Sequence, residues 1–141
     1  MGRSAVASIV FGFKVDRLGE EAPPLELPEL EDGTVDFAGV WRSLGFDEAD
    51  LSPPDGRAGF GDEVDHFLWQ VAEAAGLEKH QLSHSKSMRC VIGHCAAHDG
   101  ESTAFDPKDI VVPDEAAATA MRLAEVLGCE PPRWHLVSFY G

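Results

Sequence analysis

Residues 5–15 alternate, with Ala7, Ile9, Phe11, Phe13 and Val15 on one side and Val6, Ser8, Val10, Gly12 and Lys14 on the other. That period of two predicts a strand, and apolar residues on both sides near its middle predict a central place in a sheet. Residues 62–75 change to the helical period, where Val64, Phe67, Leu68, Val71, Ala74 and Ala75 share a face. Asp62 and Glu63 suit the positive start of that helix and Gly76 its stop. A second helix is predicted over 114–127, after Pro113, opened by Asp114 and Glu115 and closed by Gly128. Its inner face is Ala120, Leu123, Ala124 and Leu127. Phe37, Val40, Trp41 and Leu44 predict a shorter helix over 36–45, and two further strands are predicted at 88–96 and 134–140.

The resulting order, β-α-α-β-α-β, defines an α+β fold. It predicts a small antiparallel or mixed sheet of three to four strands with two to three helices packed on it. A chain of 141 residues fits a single domain, 1–141, that buries a core without staples. The irregular stretches lie at about 16–35 and 46–61, the first holding Pro23, Pro24 and Pro28, the second a Pro53-Pro54-Asp55-Gly56 turn. Long connections of this kind inside a small domain tend to be functional or mobile.

Charge changes the picture, because it is segregated. From Asp16 to Glu78 there are 17 acids against three basic residues, which accounts for the whole net charge of −14. Such a field attracts cationic partners and repels nucleic acid and anionic membrane. No apolar run approaches the ~20 residues of a membrane span, and the apolar stretch 5–13 is expected not to be an export signal, since Ser8, Gly12 and Lys14 break it up and no small-residue cleavage site follows. Cys90, Cys95 and Cys129 are an odd set of thiols, which suits a reducing, cytoplasmic setting better than a disulfide framework.

The densest chemistry is His80, His84, Cys90, His94, Cys95 and His98, six residues within 19 positions. His80-x3-His84 and His94-x3-His98 are usable zinc spacings, and either cysteine could supply sulfur. However, there is no Cys-x2-Cys pair, and the second histidine pair begins in a predicted strand, where such positions lie about 13 Å apart. The cluster is therefore expected not to close on a metal, and a zinc-binding or thiol/His-based protein using 80–98 is the alternative reading. A thiol nucleophile would need Cys90 or Cys95 beside His94, His98 or His135 with Asp99 behind it, and buried thiols are usually inert. The paired carboxylates lack an apolar enclosure, no calcium loop occurs, and Gly56, Gly59 and Gly61 follow no strand and precede no Walker lysine.

The aromatic residues fall mainly on inward faces, and Trp69 is off the Val64-Phe67-Val71 line. Phe46 and Phe60 bracket the second acidic stretch and serve either as anchors or as a binding surface beside it. The chain is thus expected to be a non-enzymatic acidic binding protein. Glu20, Glu21, Glu26, Glu29, Glu31, Asp32, Asp47, Glu48 and Asp50 would dock on a positively charged protein surface. One form of that expectation is a phage or mobile-element type inhibitor, whose carboxylates stand where phosphates would on a nucleic-acid-binding protein. No cofactor, direct nucleic-acid contact or membrane contact is expected.

Overall fold

The computed structural model describes residues 5–17, 25–52, 62–82, 89–99, 108 and 110–140. Among these residues four strands form one antiparallel sheet: β1 (Ala5–Asp16), β2 (Glu78–Gln81), β3 (Arg89–Asp99) and β4 (Arg133–Tyr140). Their spatial order is β2-β3-β1-β4. Three helices, α1 (Phe37–Ser43), α2 (Asp62–Ala74) and α3 (Asp114–Leu127), and a 3₁₀ turn, Glu48–Asp50, complete the described elements. The fold is α+β, and β1 is central as its two apolar faces require. None of the described helices is long and apolar enough to cross a membrane.

The helices share one face of the sheet. Register places Phe13 opposite Ile92 and Val15 opposite Cys90. These four are buried in one cluster with Trp41 of α1 and its C-cap Leu44, Phe67, Leu68 and Val71 of α2, and Leu123 and Leu127 of α3. Each large apolar side chain sealed this way contributes about 1.5–3 kcal/mol against chain entropy. The opposite face carries a smaller cluster, Val10, Val91 and Val137, with Leu82 and Cys95 packed on it.

Local chemistry fixes where the elements begin and stop. The Asp36 carboxylate caps α1 by accepting the Gly39 N–H at 3.0 Å. Helix α3 has Asp114 and Glu115 in its first turn, complementing the helix dipole. It ends at Gly128 in the left-handed region (φ 72°), where the Cys129 N–H bonds back to the Ala124 carbonyl at 2.8 Å. Gly12 and Gly93 face each other across β1 and β3. Here the backbones run so close that a Cβ on Gly93 would collide with the Phe11 carbonyl oxygen. A bulge then shifts the register, with Val10 opposite Cys95 but Ile9 opposite Ala97.

Two features differ from the sequence expectation. Strand β2 was not foreseen, because Glu-Lys-His-Gln is short and polar. What holds it is the Lys79 side chain, only 6 % exposed, ion-paired to Asp65 of α2 at 2.5 Å. Among the described side chains of β4, Val137 is buried, on the face away from the helices, whereas Trp134 and Leu136 are 42 % and 72 % exposed. Both lie on the helix side of the sheet by register, and they remain open to solvent.

Two mutational outcomes follow from this packing. Gly93→Ala should cost about 1–3 kcal/mol by overpacking a backbone contact that cannot rotate away, read as a lower urea midpoint. Val137→Ala should cost about 2 kcal/mol, while Leu136→Ala should stay within about 0.5 kcal/mol. A larger loss for Leu136→Ala than for Val137→Ala would contradict the assignment of the buried face.

Candidate functional site

The described parts of the acidic stretches, 25–35 and 46–52, carry more local structure than irregular sequence suggests. In the first, Glu29 bridges to Val35 and the Leu30 N–H bonds to the Thr34 carbonyl at 2.7 Å, making a tight turn. Asp32 stabilises the turn by accepting from the Thr34 hydroxyl at 2.6 Å and the Thr34 N–H at 3.0 Å. Those bonds, the hydroxyl's first, hold the Asp32 carboxyl below its ordinary value. Leu25 and Leu27 anchor the segment on the core, leaving Glu26, Glu29, Glu31 and Asp32 exposed. Glu20 and Glu21 lie outside the described residues.

The second stretch builds a groove. After α1 the chain turns at Gly45, and Phe46 packs on Trp41 with ring centroids 4.8 Å apart. The Trp41 indole N–H donates to the Asp47 carbonyl at 2.6 Å. The Asp47 carboxylate caps the 3₁₀ turn by accepting the Ala49 N–H at 3.0 Å. From α2, the Gln70 amide clamps one residue twice: it accepts the Ser52 N–H at 2.8 Å and donates to the Ser52 carbonyl at 3.1 Å. Phe46 is therefore an anchor, while Phe60 lies outside the described residues.

Between this clamped segment and α2 lies an open groove of about 620 Å³. Trp41 and Phe46 line its inner side, and the Trp69 indole, 55 % exposed, stands at its α2 edge. Asp47, Asp50, Glu73 and His66 line it as well, which makes it an aromatic groove bordered by carboxylates. Asp47, Glu48 and Asp50 are all exposed. Glu73, His66 and Gln70 escaped the sequence reading because they sit on the outer face of α2, one or more turns apart. Only the off-phase position of Trp69 hinted at that face.

The sheet register decides the fate of the His/Cys cluster. Cys90 and His94 lie on the helix side of β3, in phase with Ile92, whereas Cys95 lies on the opposite side with Val91 and Val10. His80, opposite Val91, shares the side of Cys95. His84 and the side chain of His98 are outside the described residues. The four described members, His80, Cys90, His94 and Cys95, are thus divided between two faces. Glu78, which the sequence reading missed, joins His80 and Cys95, with one donor atom from each lying within 4.8 Å of the others.

The thiols are poorly placed for nucleophilic work. Burial pushes Cys90 up to about 12, against a smaller opposing pull from Lys79, and pushes Cys129 up to about 11. Burial also raises Cys95, with the Glu78 charge acting in the same direction. His135 is lowered by burial first and by Arg133 next, and its Nε2 lies 3.2 Å from the Gly12 carbonyl oxygen.

Comparison with protein-family models, with curated proteins and with solved structures finds no match to this chain. The clamp is directly testable: Gln70→Ala should cost about 1 kcal/mol, the worth of solvent-exposed hydrogen bonds. It should also speed hydrogen exchange at the Ser52 amide well beyond that at Val71 in α2. Unchanged exchange at Ser52 would remove Gln70 from its role.

Proposed function

We propose that this protein is a non-enzymatic acidic binding protein of the cytoplasm that docks on a positively charged protein surface. The single observation that carries the reading is the groove itself, in which an exposed indole stands beside Asp47, Asp50 and Glu73. An exposed tryptophan supplies contact area and a ring face for cation–π contact with arginine or lysine. Carboxylates at the border supply steering and charge-assisted hydrogen bonds. The exposed acids of the first stretch, Glu26, Glu29, Glu31 and Asp32, extend the field that brings a basic partner in. An inhibitor that presents carboxylates in place of nucleic-acid phosphates is the form of this function that the charge suits best. The three cysteines are free, which fits a reducing compartment.

The reading predicts a partner that is basic, salt-sensitive and displaced by nucleic acid. Captured from a native lysate at low salt and identified by mass spectrometry, it should be a nucleic-acid-binding protein, and added duplex DNA should compete it away. The double variant Trp69→Ala with Glu73→Lys alters only exposed positions and should fold with a near-parental melt. It should reduce recovery at least ten-fold. Reversing Glu26, Glu29, Glu31 and Asp32 to lysine should slow association with a smaller effect on dissociation. Equal recovery of the same partner by parent and variants would show that the acid is only a solvated coat.

A further inference from the structure

The opposite face of the sheet, away from the helices, carries a group of donors that the acidic groove does not use. Glu78 and His80 are alternate residues of β2 and point to the same side as Cys95 of β3. Register sets Glu78 opposite Gly93, and Cys95 is the next residue of β3 on that face. The position between them is a glycine, so no side chain separates the carboxylate from the thiol. One donor atom from each of the three residues lies within 4.8 Å of the others. A tetrahedral zinc ion, with bonds of about 2.0–2.3 Å, holds its ligand atoms about 3.3–3.8 Å apart. Side-chain rotation of about an ångström closes that difference, and the backbone ladder beneath stays fixed.

We propose that Glu78, His80 and Cys95 form a three-ligand site for a first-row divalent transition metal, zinc above all, with a fourth position left for water or an added ligand. One sulfur, one nitrogen and one oxygen donor make a set that magnesium and calcium, which prefer all-oxygen shells, do not favour. The charges balance: a thiolate and a carboxylate offset the ion's two positive charges, and the imidazole binds neutral. The Cys95 thiol and the Glu78 carboxylate already lie within reach of each other. On binding, the S–H proton leaves to solvent and the metal takes its place between the same two atoms. Support for the ligating sulfur comes from the buried Ser8 hydroxyl, which favours the thiolate, while the bond that the thiol donates to the Ala97 carbonyl at 3.4 Å is given up with its proton. Glu78 is exposed, which opens a path for the ion.

Cobalt(II) titration of the purified full chain tests the site, because a thiolate-to-cobalt charge-transfer band reports sulfur ligation directly. The expected result is a band that saturates at one equivalent and is erased by zinc. Cys95→Ser should abolish it, and His80→Ala and Glu78→Gln should each weaken cobalt binding at least ten-fold. Cys90→Ser and Cys129→Ser should leave it intact. Circular dichroism of each metal-free variant verifies folding. Should Cys95→Ser fail to fold, Glu78→Gln, altered at an exposed side chain, decides the matter by the same titration. The proposal is overturned if the parent shows no band in excess cobalt, or if the band survives unchanged in Cys95→Ser or Glu78→Gln. None of these readouts involves a basic partner, so the site and the acidic groove stand or fall separately.

Discussion

Two long strands that are apolar on both sides must find cover above and below, and the pairing of β1 with β3 sets how this is done. Their ladder runs from Ala7 opposite Asp99 to Asp16 opposite Arg89. Everything else is hung from it. β4 adds to the free edge of β1, β2 adds to the free edge of β3, and all three helices seal the side marked by Phe13, Val15 and Ile92. At its centre Gly12 and Gly93 let two backbones approach more closely than side chains permit. A one-residue slip would reverse both faces at once, sending Phe13 out of the helix layer and Val10 into it.

This ladder also separates the two chemical regions. The carboxylates of the groove are carried by the 3₁₀ turn, its cap Asp47 and α2, on the outer side of the helix layer. The Glu78-His80-Cys95 group is on the far side of the sheet. One layer of backbone and one of packed aromatic side chains lie between them. Low-dielectric core of this kind insulates local chemistry poorly against net charge but well against direct contact. Each region therefore meets its own solvent face.

Most of the fold was legible in the sequence, for physical reasons that also explain the rest. Helices α2 and α3 announce themselves through period and end signals, with Gly76 and Gly128 closing them. β1 announces itself through alternation. β2 does not, because Lys79 is buried by its ion pair with Asp65, and pairing between a charge on a strand and one on a helix leaves no periodic trace. In β4, the aromatic character of Trp134 suggests an inward place, but exposure depends on how far the helix layer reaches, which no local pattern encodes. The acid was plain from composition and Trp69 was visible as an off-phase residue. The groove was not, since it needs Gln70 to reach Ser52, 18 positions away. The His/Cys cluster was legible as a list only. Strand parity divided it, and a cross-strand glutamate entered it.

The hold on Ser52 has one more implication. Gln70 binds the acidic wall to α2 through a neutral amide, so the bond that positions the charges is itself indifferent to charge. Added salt screens the field around Asp47, Asp50 and Glu73 but leaves that hydrogen-bonded hook in place. Presentation and attraction thereby answer to different variables. The wall keeps its shape across ionic conditions in which its pull on a cationic surface rises and falls, as a lamp bracket keeps its position while the current varies.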